Sequence, residues 1–203
     1  MSVLIVCMRN VLIASILLIF VSGCNNMKLE DFANKKPIFK IEEYFLGKTT
    51  ASGLFIDRLG KVRRQFTVEM EGIQQEDNFI LNETFLYDDG EEEFRRWEIK
   101  KTGENTYEGI SDDIIGVALG ESSGNALNWH YTLKLKYGDG IMNVKFDDWM
   151  IMQDEKNVFN KATMKKFGIR LGDVYLFFTK PVSYTHLRAH ETRHDLVCRL
   201  LLE

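Results

Sequence analysis

Apolar and polar residues alternate with a period of two along most of the chain between residues 50 and 152. In residues 62–72, for example, Phe66, Val68 and Met70 alternate with charged or polar neighbours. This period is typical of a β-strand that buries one face and exposes the other. The pattern therefore predicts a protein built mainly from half-buried strands.

Turn-forming pairs separate these segments about every ten residues. They include Asp89-Gly90 and Gly138-Asp139-Gly140, where glycine tolerates the positive φ angles of tight hairpin turns, and Gly172-Asp173 precedes the last apolar strand. Strands are predicted over residues 50–57, 62–72, 78–87, 94–101, 106–111, 114–119, 126–137, 142–152 and 174–178, with residues 120–124 as a flexible glycine-rich loop. Residues 159–167 fit a helix or a strand, and residues 38–46 fit a short helix.

This spacing predicts an all-β fold, an antiparallel up-and-down barrel of about eight to ten strands with a short N-terminal helix. A β-sandwich is the alternative. The chain has 203 residues, of which 45% are apolar and 28% charged, and this suits one globular domain. Its 26 basic and 30 acidic residues give a net charge of -4, which excludes a strongly basic nucleic-acid binder.

The N-terminus has the features of an export signal. Arg9 precedes an apolar run, residues 11–21, that is shorter than the roughly 20 residues a transmembrane helix needs. Val21-Ser22-Gly23-Cys24 then has the form of a bacterial lipobox. We therefore predict a signal peptide over residues 1–23, acylation of Cys24, a lipidated tether over residues 24–36 and a barrel domain over residues 37–181. A plain secretory signal with a chance cysteine is the alternative.

The residue after Cys24 is Asn25, and a residue other than aspartate at this position favours the outer membrane. The sequence thus predicts an outer membrane lipoprotein that faces the periplasm. Its predicted partner is the membrane, which it contacts through the lipid anchor, and its oligomeric state is left open.

The C-terminal stretch, Val182–Glu203, differs from the rest of the chain. Back-translation of residues 182–192 resembles a transposase adapter from sequencing libraries, so we interpret this tail as non-native. Without that interpretation, His186, His190 and His194 would suggest a metal site, because their four-residue spacing places them on one face of a helix.

Within residues 24–181, Cys24 is the only cysteine and His130 the only histidine. These counts exclude an internal disulfide and argue against a histidine metal site, a Ser-His-Asp triad or a Cys-His dyad. We therefore predict no metal, no cofactor and no catalytic residue.

Aromatic residues on different predicted strands are the first candidates for a ligand site. Trp97, Trp129 and Trp149 would either line an apolar pocket or fill the core. Alternation places Trp129 and Tyr131 on one face of their strand and His130 on the other.

Asp147 and Asp148 form the most suggestive polar pair. Adjacent strand residues point to opposite faces, so only one of them, Asp148, is expected to point inward together with Phe146 and Met150. A buried carboxylate needs a partner, for which Arg95, Arg96 and Lys166 are the candidates. A structural ion pair, an anchor for a ligand head group and a general acid or base all remain open.

Three motifs resemble one family. They are Gly124-Asn125-Ala126-Leu127-Asn128-Trp129-His130-Tyr131-Thr132-Leu133, Phe146-Asp147-Asp148-Trp149-Met150, and Asn160 followed by Met164-Lys165-Lys166-Phe167-Gly168, accompanied by Arg96-Trp97 and Asp112. Over about residues 30–180 the chain resembles the DUF3833 family of proteobacterial lipoproteins. The resemblance implies a lipocalin-like (calycin) barrel and an association with genes of lipid modification, but it carries over no catalytic residue.

These observations lead to three functional hypotheses. The first is a barrel that binds or carries a fatty acyl chain or a phospholipid, the second a filled barrel that scaffolds other proteins, and the third a lipid-modifying enzyme. The candidate ligand-binding residues are Trp97, Asp112, Asn125, Trp129, Tyr131, Asp148, Trp149, Met150 and Lys166.

Overall fold

The computed structural model describes residues 27–138 and 140–181. A 3₁₀ helix (Leu29–Phe32) and a short α-helix, α1 (Ile41–Tyr44), precede ten strands. The strands are β1 (Gly47–Asp57), β2 (Val62–Gln75), β3 (Asn78–Tyr87), β4 (Glu92–Lys101), β5 (Thr106–Ile110), β6 (Ala118–Ser123), β7 (Ala126–Tyr137), β8 (Gly140–Met152), β9 (Asn157–Lys166) and β10 (Ile169–Thr179).

Each strand pairs antiparallel with the next, and β1 pairs with β10 to close the barrel. The predicted up-and-down barrel is thus confirmed, and the sandwich alternative is wrong. Each of the ten described strands therefore has a neighbouring strand on both sides, and the sheet has no terminal edge strand. The alternating residues of each strand divide into an inner face that lines the lumen and an outer face toward solvent.

The structure resolves one segment that the sequence left open and corrects two others. The ambiguous residues 159–167 belong mainly to strand β9, whose inward positions alternate regularly. Residues 114–117 connect two strands, because Ile114 makes only an isolated bridge, to Leu133. Residues 120–123 belong to strand β6, where Gly120 leaves room for a tryptophan ring from β7.

Helix α1 closes one end of the barrel, which we call the base. Tyr44 donates a hydrogen bond to the carbonyl of Lys156 at 2.9 Å, and the ring of Phe45 meets Phe178 edge-on at 5.5 Å. Tyr107 donates to Glu42 at 3.0 Å. The opposite end, which we call the mouth, carries the β1–β2, β3–β4, β7–β8 and β9–β10 turns and the β5–β6 connection.

Part of the predicted tether folds onto the barrel instead. The 3₁₀ helix packs against β6 and β7, and the ring of Phe32 lies 6.0 Å from the ring of Trp149 on the outer wall. Cys24, the predicted signal peptide and the tail Val182–Glu203 lie outside the described residues. No helix in the described part of the chain is long and apolar enough to cross a bilayer.

Candidate ligand site inside the barrel

Some inward side chains near the mouth are more exposed than those near the base. Near the base, inward side chains such as Phe79 and Leu127 are buried. Near the mouth, Leu133, Val144 and Met164 are also buried, but five inward side chains that contact the same core remain only partly buried. They are Phe55, Phe66, Leu135, Met142 and Leu171. The upper lumen therefore has an apolar wall that is accessible from the mouth.

Aromatic rings occupy the middle of the lumen. Trp97 meets Trp129 at 6.1 Å and Tyr131 at 5.6 Å, both edge-on, and Tyr131 stacks on Phe146 at 4.9 Å. The ring of Trp129 lies against Gly120, where a Cβ atom would fall 1.9 Å from the indole. Glycine is needed there because any side chain would occupy the space of the ring.

Charged side chains lie beside these rings, and we call them the Arg95 cluster: Arg95, Glu83, Glu93 and Asp113. Arg95 Nε donates to Asp113 at 2.8 Å, and the guanidinium lies 3.8 Å from Glu83 and 3.5 Å from Glu93. Glu83 also accepts a hydrogen bond from Trp97 Nε1 at 3.3 Å. The Arg95 side chain is only 13% exposed. One inward guanidinium thus offsets three carboxylates.

Asp148 points into the lumen, as alternation predicted, and is 6% exposed. Its Oδ2 accepts a hydrogen bond from Tyr131 Oη at 3.3 Å, and its Oδ1 accepts one from Asn160 Nδ2. The prediction of a basic partner for Asp148 is wrong, because the strand register places neutral residues beside its carboxylate. Asp148 lies opposite Trp129 and Ala162, so Tyr131 and Asn160 are its diagonal neighbours.

Burial raises the pKa values of Glu83 and Asp148. It raises the pKa of Glu83 to about 7, although Arg95 and the Trp97 hydrogen bond oppose the shift. It raises the pKa of Asp148 to about 6, against the hydrogen bonds from Asn160 and Tyr131. For Arg95, burial alone would lower the pKa, but Glu83 and Asp113 hold it above its ordinary value. The charge of the lumen therefore changes near neutral pH.

This arrangement suits binding, because apolar walls and a few fixed polar groups are the usual composition of a small-molecule site. Among the described residues, no group of three or more His, Cys, Asp or Glu side chains is placed to hold a metal ion.

Five of the sequence-predicted site residues meet in the lumen. Trp97, Trp129, Tyr131 and Asp148 lie at mid-height, and Met150 lies one inward position closer to the base.

The other four lie elsewhere. Asp112 is exposed, and the neighbouring Asp113 reaches Arg95 in its place. Trp149 is on the outer wall, because Asp148 takes the inward position beside it. Asn125 lies at the base, where its side-chain amide donates a hydrogen bond to the carbonyl of Met152 at 2.8 Å. Lys166 sits at the mouth, 5.4 Å from the ring of Phe167.

Sequence reasoning missed Glu83, Glu93, Asp113 and Asn160. A local signal existed for Glu83, since the alternate residues of its strand are otherwise Phe79, Leu81, Phe85 and Tyr87. A lone acid in an apolar series marks an inward carboxylate that needs a partner. No such local signal exists for Asp113, which lies in a strand connection.

Ten antiparallel strands closed around an apolar lumen define a lipocalin-like barrel. The chain belongs to the DUF3833 family, described as proteins of unknown function, whose family model matches residues 18–180. Among solved structures, the S-type phycobiliprotein lyase CPES from Guillardia theta is similar, with a TM-score of 0.54 and 10% sequence identity. The match covers 78% of this chain and 99% of that chain. No curated protein matches. At this identity the similarity shows a shared fold.

Proposed function

We propose that this protein binds an apolar ligand with a polar end group in the upper half of its barrel. The observation that carries the proposal is the group of partly exposed apolar side chains near the mouth, which lies directly above the polar layer at mid-height. A hydrocarbon chain would contact Phe55, Leu135 and Met142. Its polar end would reach the Arg95 cluster, Tyr131 and Asp148.

The ligand class that this site favours is a fatty acyl chain or a phospholipid acyl chain. Methionine and leucine walls adapt to flexible hydrocarbon, and each buried methylene contributes about 0.8 kcal/mol. With acylation of Cys24, the protein would act as an envelope lipoprotein of the outer membrane that holds or passes a lipid on its periplasmic side.

Native mass spectrometry with lipid extraction tests the lumen proposal. We expect the purified chain to carry a reproducible extra mass of lipid size. Met142→Trp should lower the bound fraction roughly tenfold, because the indole would displace about two methylenes of ligand. Asn143→Trp is the matched control, since the neighbouring side chain is exposed and points outward. A well-folded apo chain that also takes up no added lipid would contradict the proposal and favour the filled-barrel scaffold.

Cell fractionation tests the anchor separately. Because the diacylglyceryl group forms on the cysteine sulfur, Cys24→Ser should prevent both lipidation and cleavage before residue 24. Globomycin, which blocks that cleavage, should make the parent chain accumulate as a larger precursor, and radioactive palmitate should label the parent but not Cys24→Ser. A parent chain that takes up no label, or a Cys24→Ser chain that matures to the parent size, would overturn the lipoprotein proposal and favour the plain secretory signal.

A further inference from the structure

Three neighbouring turns at the mouth expose large apolar side chains at their tips. These are the β1–β2, β7–β8 and β9–β10 turns, which are contiguous around the rim because the strands from β7 through β10 to β2 are neighbours. We call them the apolar rim. Leu59 is 81% exposed and Phe167 is 92% exposed, and Tyr137 and Ile141 are similarly uncovered. The turns at the base differ, since residues 76–77, 102–105 and 153–156 contain no large apolar residue.

Phe167 lies at a position that is unfavourable for a phenylalanine. With Gly168 it forms the two-residue connection between β9 and β10, and both residues have positive φ, +51° and +79°. Such turns favour Asn-Gly, whereas a bulky side chain there is strained. A phenylalanine that is both strained and fully exposed adds nothing to the core. Its side chain is therefore available for contact outside the molecule.

The apolar rim is also basic. Arg58, Lys61 and Lys136 are exposed on it, and Lys166 lies beside Phe167. Of the acids near these turns, Asp57 is paired with Arg63 at 2.5 Å and Asp173 is paired with Arg170, and the sequence places Asp139 between β7 and β8.

The next turn around the mouth, β3–β4, borders the apolar rim beside β2 and has the opposite charge. It carries Asp88, Asp89, Glu91 and Glu92, of which Asp89 and Glu91 pair with Arg64. The apolar, basic rim is therefore bordered by an acidic turn.

We propose that the apolar rim docks on the surface of a lipid bilayer that contains anionic phospholipids. Aromatic and aliphatic tips enter the headgroup region, and the lysines and arginines between them attract anionic headgroups. A protein partner fits less well, because lysine is depleted in the centres of protein interfaces, and here the apolar groups stand on separate turns with basic residues between them. This inference goes beyond ligand binding and does not require the lumen to be occupied.

Vesicle flotation of the full chain tests this docking surface. The probes are vesicles of phosphatidylcholine alone and of phosphatidylcholine with phosphatidylglycerol. Any contribution of the N-terminal segment is common to all variants, so the ratio of binding to the two vesicle types isolates the rim. Arg58→Gln, Lys61→Gln and Lys136→Gln combined should lower this ratio about 100-fold, since each basic group near an anionic surface contributes roughly fivefold. High salt should also lower this ratio, because it screens the attraction between the basic residues and the anionic headgroups.

Lys36→Gln, Lys48→Gln and Lys100→Gln combined form the matched control, because these exposed lysines lie near the base. This variant should keep the ratio. Equal binding of the parent chain to both vesicle types, or an equal loss in the control, would overturn the inference. The first of these results would leave the rim as a surface for a protein partner.

Phe167→Asn separates docking from folding. Asparagine suits the positive φ of this turn, so the melting temperature should stay equal or rise. Binding to anionic vesicles should nevertheless fall about tenfold through loss of the inserted ring. Unchanged vesicle binding by this variant would also overturn the inference. Lipid bound in the lumen, measured by native mass spectrometry, reports on the proposed function independently of both results.

Discussion

Arg95→Met is expected to lower the free energy of unfolding by about 3–5 kcal/mol near pH 8, and by clearly less near pH 5. The arginine is the inward cation that faces Glu83, Glu93 and Asp113. Methionine keeps much of the side-chain volume, so the loss comes mainly from carboxylates that remain buried without their partner.

The pH dependence follows from the sign of the shifts. Folding raises the pKa of Glu83 to about 7 and that of Asp148 to about 6. Acids shifted in this direction contribute stability that is fully present below their unfolded pKa and is lost as the pH rises through the folded value. Without Arg95, Glu83 would be still harder to ionise, so the loss of stability should grow between about pH 5 and pH 8.

Urea denaturation at both pH values measures this effect. Arg96→Met is the matched control, because the neighbouring arginine points outward, is 48% exposed and lies 3.8 Å from Glu98. It should change the free energy of unfolding by less than about 0.5 kcal/mol. An equal loss for Arg95→Met at both pH values would show that the guanidinium acts through packing alone.

Gly120→Val is the second substitution with a large expected effect. A Cβ at this position would lie 1.9 Å from the Trp129 ring, which is itself held at mid-lumen by Trp97. The indole is rigid and cannot bend away, so we expect a loss of about 3 kcal/mol or more in the free energy of unfolding. Thermal and urea denaturation would both report it.

A double-mutant cycle identifies the cause. Trp129→Leu alone should be destabilising, because it leaves a cavity. Combined with Gly120→Val it should be less destabilising than the sum of the two single changes, since valine would fill part of that space. Gly140→Ala is the control, as its Cβ would meet only the carbonyl of Tyr137 at 3.7 Å. Strict additivity at residues 120 and 129 would contradict the packing argument.

The fold was predictable because local sequence patterns mark most of the strands and turns of the barrel. Period-two segments and turn pairs such as Asp89-Gly90 mark the strands, and sequential antiparallel pairing needs no long-range information. Residues 120–123 of strand β6 were predicted as a loop, because Gly120 resembles a loop residue until the ring of Trp129 is placed over it.

The site was predictable only where one strand determines it. Alternation alone predicted that Asp148 points inward and His130 outward. The partners of Asp148, Tyr131 and Asn160, depend on the register of three strands, which no local pattern contains. Trp149 was a site candidate because it is an aromatic residue on a predicted strand. The alternation that places Asp148 inward also places Trp149 outward, where Phe32 packs beside it.

The N-terminal segment packs on the outer wall of the barrel. Its position there sets which end of the barrel would face a membrane that anchors Cys24. Met27 and Leu29 lie beside Asn128 and Trp149, in the half of the barrel nearer the base. Only three residue steps separate Met27 from Cys24, a span of at most about 10 Å. An acylated Cys24 would therefore keep the base beside its own leaflet and turn the mouth away from it. Such an orientation would make the acylated protein a bridge, fixed in one membrane and presenting its opening to another.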